Sequence, residues 1–297
     1  MPQKTAHDFD QELLILFDAY VHGGIDRRTF LERAAKFAVG GVTAAMLLDQ
    51  LSPRFAEAQL VRNDDARILQ EYVEFDSPSG YGKGRGYLVR PAGGAGRWPG
   101  VLVIHENRGL NPHIEDVTRR LALDNFVAFA PDALFPLGGY PGTEDQARTL
   151  FPQLDQAKTR EDFIAAAGFL KGRPECSGRI GAVGFCYGGG MVNFLATRLG
   201  ADLSAGVAFY GSSPNVEDVP KIKAPMMIQS AEVDERINAS WPAYEQALKA
   251  AGVKYERHLY PGTQHGFNNN TTPRFDAAAA KLAWDRTISF FNLHLRA

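Results

Sequence analysis

Three side chains with the chemistry of acyl transfer each stand just past an apolar run. Cys186 closes "GRIGAVGFC", Asp234 closes "PMMIQSAEVD", and His265 follows "KYERHLYPG" in "TQHGF". A thiol beside an imidazole is a nucleophile with its base, and a carboxylate on the far imidazole nitrogen fixes the tautomer. The segment G-F-C-Y-G-G is the nucleophile elbow G-x-S-x-G with cysteine in place of serine. A strand must turn sharply into a helix there, so Cβ groups at Gly184 and Gly188 would collide with neighbouring backbone. The turn lifts the sulfur above the sheet, and the amides of a helix starting near Tyr187 favour its thiolate.

Each of these residues has a competitor. A buried cysteine at a strand end commonly fills space; Glu232 and Glu235 flank Asp234, and His258 lies inside the last strand at an alternating polar position. The glycine walls and the order cysteine, acid, histidine favour Cys186, Asp234 and His265, while Cys176 in polar "PECSG" reads as inert. Strand "VLVIHE" delivers His105, Glu106 and Asn107 to the same edge. The backbone N–H groups of Tyr187 and Asn107 are the expected oxyanion hole.

The elements that must position these groups alternate between strand and helix from about Glu71. "EYVEFDSP" and "GRGYLVRP" alternate apolar and polar residues and read as an antiparallel opening pair. "GVLVIHE", "FVAFAPDAL", "GRIGAVGFC", "SAGVAFYG" and "PMMIQSAEVD" are short apolar runs typical of buried parallel strands, and "KYERHLYPG" supplies a last strand. Trp241, Tyr244, Leu248 and Ala251 share one helical face, and a final helix spans roughly 275–295. The pattern predicts one α/β domain with a mostly parallel central sheet flanked by helices, over residues 66–297. In such sheets ligands sit at the carboxyl ends of the strands, where the candidate residues lie. Phe135 and Tyr140, after "FVAFAPD", are expected to shape the pocket wall.

Residues 1–65 read as an N-terminal helical extension. An amphipathic run from Phe9 to Val21 precedes Arg27-Arg28, a short apolar stretch from Phe37 to Leu48, and Ala56-Glu57-Ala58. That order resembles a twin-arginine export signal with cleavage near Ala58. The alternative, preferred here, is a retained segment that packs on its own domain in the cytoplasm, since about 12 apolar residues cannot span a bilayer. The chain carries 32 Lys and Arg against 34 Asp and Glu, mixed along its length, so nucleic acid is not an expected partner. Two cysteines outside any zinc-type spacing give neither a disulfide scaffold nor a metal site, and no cofactor is expected. The chain is expected to be a monomer or homodimer acting on a small molecule.

Taken together, "VIHENRGLN", "GFCYGGG", "AEVDERIN" and "YPGTQHGF" resemble the dienelactone hydrolases, a cysteine-bearing branch of the α/β-hydrolase superfamily, over roughly residues 70–297. Within that family the chain is most similar to the group with an N-terminal helical extension. The resemblance implies hydrolysis of an ester or lactone through a thioester on Cys186, with Asp234 and His265 completing the triad. It also implies that Glu106 hydrogen-bonds the resting thiol and helps to ionise it when substrate binds. One position departs: where dienelactone-cleaving members carry an arginine that holds the substrate carboxylate, this chain has Asn269. Arg108 and Arg274 are the available substitutes, and a less charged ester is as compatible as dienelactone. A general short-chain esterase or thioesterase is therefore an alternative. A thiol redox protein would need no elbow or aspartate, and a binding module would be expected to have lost catalytic groups.

Overall fold

The apolar runs between turn residues pair into a single eight-stranded sheet in the computed structural model, which describes residues 4–93 and 96–296. The strands are β1 (Ile68–Ser77), β2 (Gly82–Pro91), β3 (Trp98–Ile104), β4 (Val127–Pro131), β5 (Cys176–Phe185), β6 (Ala205–Phe209), β7 (Met226–Val233) and β8 (Tyr255–Gln264). Their order is β1-β2-β4-β3-β5-β6-β7-β8. β1 and β2 form the antiparallel opening pair, β2 runs antiparallel to β4, and every pairing from β4 to β8 is parallel. The fold is that of an α/β-hydrolase.

Side-chain alternation divides the core into two layers. Along β3, Leu102 and Ile104 join a cluster with Phe163 and Leu170 of α7 (Gln156–Gly172), Val192 and Leu195 of α8 (Tyr187–Leu199) and Leu248 of α10 (Trp241–Ala250). Val101 and Val103 face the other way, against Ile114 and Val117 of α5 (Pro112–Leu123) and Phe290 and Phe291 of α11 (Ala277–Leu295). Fully burying one such aromatic or aliphatic side chain contributes about 1.5–3 kcal/mol. The strands therefore hold one rigid edge, at which β3, β5, β6, β7 and β8 all end.

Residues before β1 build a third apolar cluster of their own. Leu13, Leu14, Phe17 and Tyr20 of α1 (Gln11–Val21) meet Phe30 and Ala34 of α2 (Arg27–Ala34) and Leu47, Leu48 and Leu51 of α3 (Ala44–Leu51). Asp10 caps α1, Asp26 caps α2 and Thr43 caps α3, each side chain accepting a backbone N–H of the first turn. The apolar stretch from Phe37 to Leu48 is no continuous helix. Gly40 (φ +64°) and Gly41 (φ +85°) turn the chain before α3 begins. No helix among the described residues is long and apolar enough to cross a membrane. The short helices α4 (Phe55–Ala58), α6 (Glu144–Leu150) and α9 (Glu235–Asn238) complete the set.

Candidate active site

Cys186 sits between β5 and α8 with φ +55° and ψ −112°, a backbone conformation that L side chains rarely adopt. The glycines around it leave no alternative. A Cβ on Gly184 would lie 2.1 Å from the Gly188 carbonyl oxygen, and one on Gly188 would lie 2.1 Å from that of Ile104. The elbow thus closes only where two backbones touch, and the thiol projects into a cavity at the carboxyl edge of the sheet. Cys186 is 9% exposed.

The loop after β8 brings in His265, and the end of β7 brings in Asp234. Nδ1–H of His265 donates to Asp234 Oδ2 at 2.6 Å, and both residues are buried. Asp234 also caps α9 through Ile237 N–H (3.4 Å), which fixes the carboxylate. Nε2 of His265 has no hydrogen-bond partner among the described residues. Burial opposes charge on both His265 and Cys186, and mutual attraction outweighs it. The imidazole is pushed up to about 10 by the thiolate and Asp234, and the thiol is held well below its usual range by His265 and His22.

His22 was missed by the sequence reading. It caps the carboxyl end of α1, and its Nε2 lies 3.3 Å from Cys186 Sγ. The ligating atoms of His22, Cys186 and His265 lie within 4.8 Å of one another. Tyr210 was missed as well. Its ring centroid is 4.9 Å from that of His265 and its buried hydroxyl has no partner among the described residues. A positive φ of +37° at the end of β6 turns it toward the site, and periodicity carries no signal for that.

Glu106 lines the same cavity, but its carboxylate accepts from Asn269 Nδ2 at 2.8 Å; the hydrogen bond to the thiol is made by His22. Burial, followed by the charge of Cys186, pushes Glu106 up to about 7. Asn269 therefore orients Glu106 from the position where dienelactone-cleaving members are expected to carry an arginine. Asn107 and Arg108 both reach the cavity, where Asn107 Nδ2 (3.2 Å) and Arg108 Nη2 (2.8 Å) donate to the carbonyl of Val21. Arg274 lines it too and pairs with Asp18 at 3.1 Å. Tyr187 opens α8, which leaves its N–H at the first turn beside the thiol, while its hydroxyl donates to Gln156 (3.0 Å).

Phe135 and Tyr140 do not line the cavity. Phe135 packs under the Arg85 guanidinium (5.0 Å) and Tyr140 donates to Glu144 (3.1 Å). The chain reverses at Gly138 and Gly139, both at positive φ, and the wall is supplied by Phe17, Tyr20, Ser52 and Pro53 of the N-terminal segment. His105 is inert. Its Nε2 accepts from Ala133 N–H (3.1 Å), Nδ1–H donates to the Glu106 carbonyl (2.5 Å), and burial lowers it to about 4. It braces the loop that carries Glu106.

With this geometry in view, residues 85–295 match the model of the dienelactone hydrolase family. The chain belongs to the dienelactone hydrolase family. It is thus a hydrolase of a family that cleaves esters and lactones. Residues 1–36 match a second family model, described as YqhI-like. The chain is 34% identical over 243 residues to protein usf of Aquifex pyrophilus, covering 76% of this chain and all of that one. It is 32% identical to a protein of Synechocystis sp. provisionally named carboxymethylenebutenolidase, over 71% of this chain and 92% of that one. A dienelactone hydrolase structure from Klebsiella pneumoniae superposes with a TM-score of 0.66 at 27% identity, covering 75% of this chain and 98% of that one. A dienelactone hydrolase-like promiscuous phosphotriesterase from metagenomic libraries gives the same TM-score at 25% identity, covering 77% and 99%.

Proposed function

We propose that this family member hydrolyses a lactone or carboxylic ester through a thioester on Cys186. The observation that carries the reading is a cysteine on a strained elbow, within 4.8 Å of a histidine whose other nitrogen is bonded to Asp234 at 2.6 Å. In this reading the thiol proton passes to Nε2 of His265, and Sγ attacks the substrate carbonyl carbon. The N–H groups of Tyr187 and Asn107 hold the oxyanion. Collapse of the tetrahedral adduct breaks the C–O bond, and the imidazolium returns its proton to the departing alkoxide. Water, deprotonated by the same imidazole, then cleaves the thioester and restores the thiol. Asp234 keeps Nδ1–H in place throughout.

Arg108 supports a substrate with a carbonyl or carboxylate oxygen, because it already holds such an oxygen, that of Val21. The water-accessible space beside the thiol is only about 50 Å³, while an adjoining cleft of about 640 Å³ shares His265 and Arg274 with it. A short acyl group reaching in from the wider cleft fits better than a bulky one, which keeps a general short-chain esterase as the second reading. Residues 1–65 stay attached in both readings and the protein acts in the cytoplasm, since cleavage near Ala58 would remove a wall of the site.

The test is hydrolysis of p-nitrophenyl acetate with mass spectrometry of the quenched protein. Cys186→Ala is expected to lose at least about a thousandfold in kcat, and the wild type is expected to carry a single acetyl group on Cys186. Undiminished turnover by Cys186→Ala would end the cysteine mechanism.

A further inference from the structure

The N-terminal segment does more than wall the site. Immediately after α1 the chain turns away at Gly23 (φ +78°), leaving His22 at the tip of the helix against the thiol. The helix is fastened at both ends. Val21 C=O accepts from Asn107 and Arg108, Tyr20 Oη donates to Asp145 (2.5 Å), and Gln264 Nε2 donates to Gln11 (2.6 Å).

His22 itself is held as a catalytic base is held. Its Nδ1–H donates to the Asp18 carbonyl at 2.8 Å, with the Asp18 carboxylate 3.2 Å away. The lone pair is thereby left on Nε2, the atom facing Sγ at 3.3 Å. Asp18 is in turn fixed by Arg274 at 3.1 Å. The site thus contains two imidazole–carboxylate pairs, His265 with Asp234 and His22 with Asp18, whose rings stand 4.7 Å apart at 85°.

We infer that His22, presented by the N-terminal segment and kept in its tautomer by Asp18, is a second catalytic base for Cys186. The inference rests on Cys186 being the nucleophile. The thiol has one proton to give, and either Nε2 can take it. Burial disfavours charge on His22, yet the charge of Cys186 and the hydrogen bond to Asp18 raise its hold on a proton above that of a free imidazole. Charge on His265 works against this, so the two rings share the proton as a coupled pair. On collapse of the adduct the proton goes to the leaving alkoxide, and no other reactant is needed.

The charged and titratable groups facing His22 are Asp18 on its own helix, Cys186 at the elbow, and His265 in the loop after β8. From α9, Arg236 Nη2 stands 3.3 Å from Nε2. Glu106, Arg108, Glu144, Asp145, Arg148 and Arg274 line the same cavity.

The full-length chain is compared as wild type, His22→Gln, Asp18→Asn and His265→Gln. Ionisation of Cys186 is followed by the ultraviolet absorbance of the thiolate, with Cys186→Ala as blank, alongside hydrolysis of p-nitrophenyl acetate. With His22→Gln, thiolate formation shifts about one pH unit upward and kcat near pH 6 falls about tenfold. Asp18→Asn shifts both in the same direction by less, and added imidazole restores part of the His22→Gln loss. An unshifted thiolate titration with kcat within twofold would show that His22 only packs, and faster turnover would show that α1 is a plug; either overturns the inference. If no protein, wild type included, hydrolyses ester while the His22→Gln titration still shifts, the hydrolase reading fails and the pairing of His22 with the thiol stands.

Discussion

The two imidazoles beside Cys186 are held by regions of different construction. His265 and Asp234 are 31 residues apart and meet because β7 and β8 are neighbours in the sheet, with both side chains buried. His22 and Asp18 are four residues apart on one helix, with Asp18 partly exposed, and meet the thiol only because α1 is docked on the domain. A pair spanning two strands is lost only if the sheet is lost. A pair within a docked helix is lost when the helix lifts, which opens at lower free energy than the global fold. The first arrangement suits an invariant catalytic group, and the second makes reactivity depend on where the N-terminal segment sits.

The sharpest way to separate the pairs is to damage the buried one. Asp234→Asn removes the acceptor that fixes Nδ1–H, and kcat for p-nitrophenyl acetate is expected to fall about 10³–10⁴-fold, far beyond the effect of Asp18→Asn. Equal losses would mean that the sheet-held pair has no precedence.

Glu106 shares the cavity with both imidazoles, and its effect is one of pH. Its ordinary value of 4.5 is raised to about 7 by burial and then by the charge of Cys186, so the folded state binds its proton more tightly than the unfolded chain. That contribution is fully present below about pH 4.5 and is lost as pH rises through about 7. In melting experiments the Tm of Glu106→Gln should fall less than that of wild type between those limits. Parallel curves would show that Glu106 is not protonated in the fold.

The smallest effect belongs to the rim of the docked helix. Arg27 and Asp145 pair at 2.9 Å with both side chains about half exposed. Arg27→Ala should cost no more than about 0.5 kcal/mol, seen as slightly faster amide exchange over residues 11–21 with kcat unchanged within twofold. A large rise in exchange would mean that this one pair holds the segment in place.

Much of the catalytic domain could be read from the chain, because period-two and continuous apolar runs report strands directly and glycine flanks report an elbow. The sequence pattern also put Cys186, Asp234, His265 and Glu106 at strand ends; Cys186, His265 and Glu106 share a cavity, and Asp234 lines the adjoining cleft with His265. Legibility failed where a contact depended on docking rather than on pattern. His22 is one polar residue after an amphipathic helix, and nothing local says that α1 lies across the thiol. Tyr210 ends an apolar strand and looks like core until its positive φ is known. Phe135 and Tyr140 follow a strand on the active side, yet glycines at 138 and 139 turn their segment away.

By itself, the sequence determined the strand and helix order and the glycine surroundings of Cys186, because these follow from local propensity, apolar periodicity and the space that only glycine leaves; the family was legible through the resemblance of four motifs. Tertiary structure alone decided which partner the resting thiol has. That choice lies between a carboxylate two residues past β3 and an imidazole 164 residues away in sequence. It is settled by how an apolar helix cluster packs over the sheet edge, a long-range burial that no local pattern encodes.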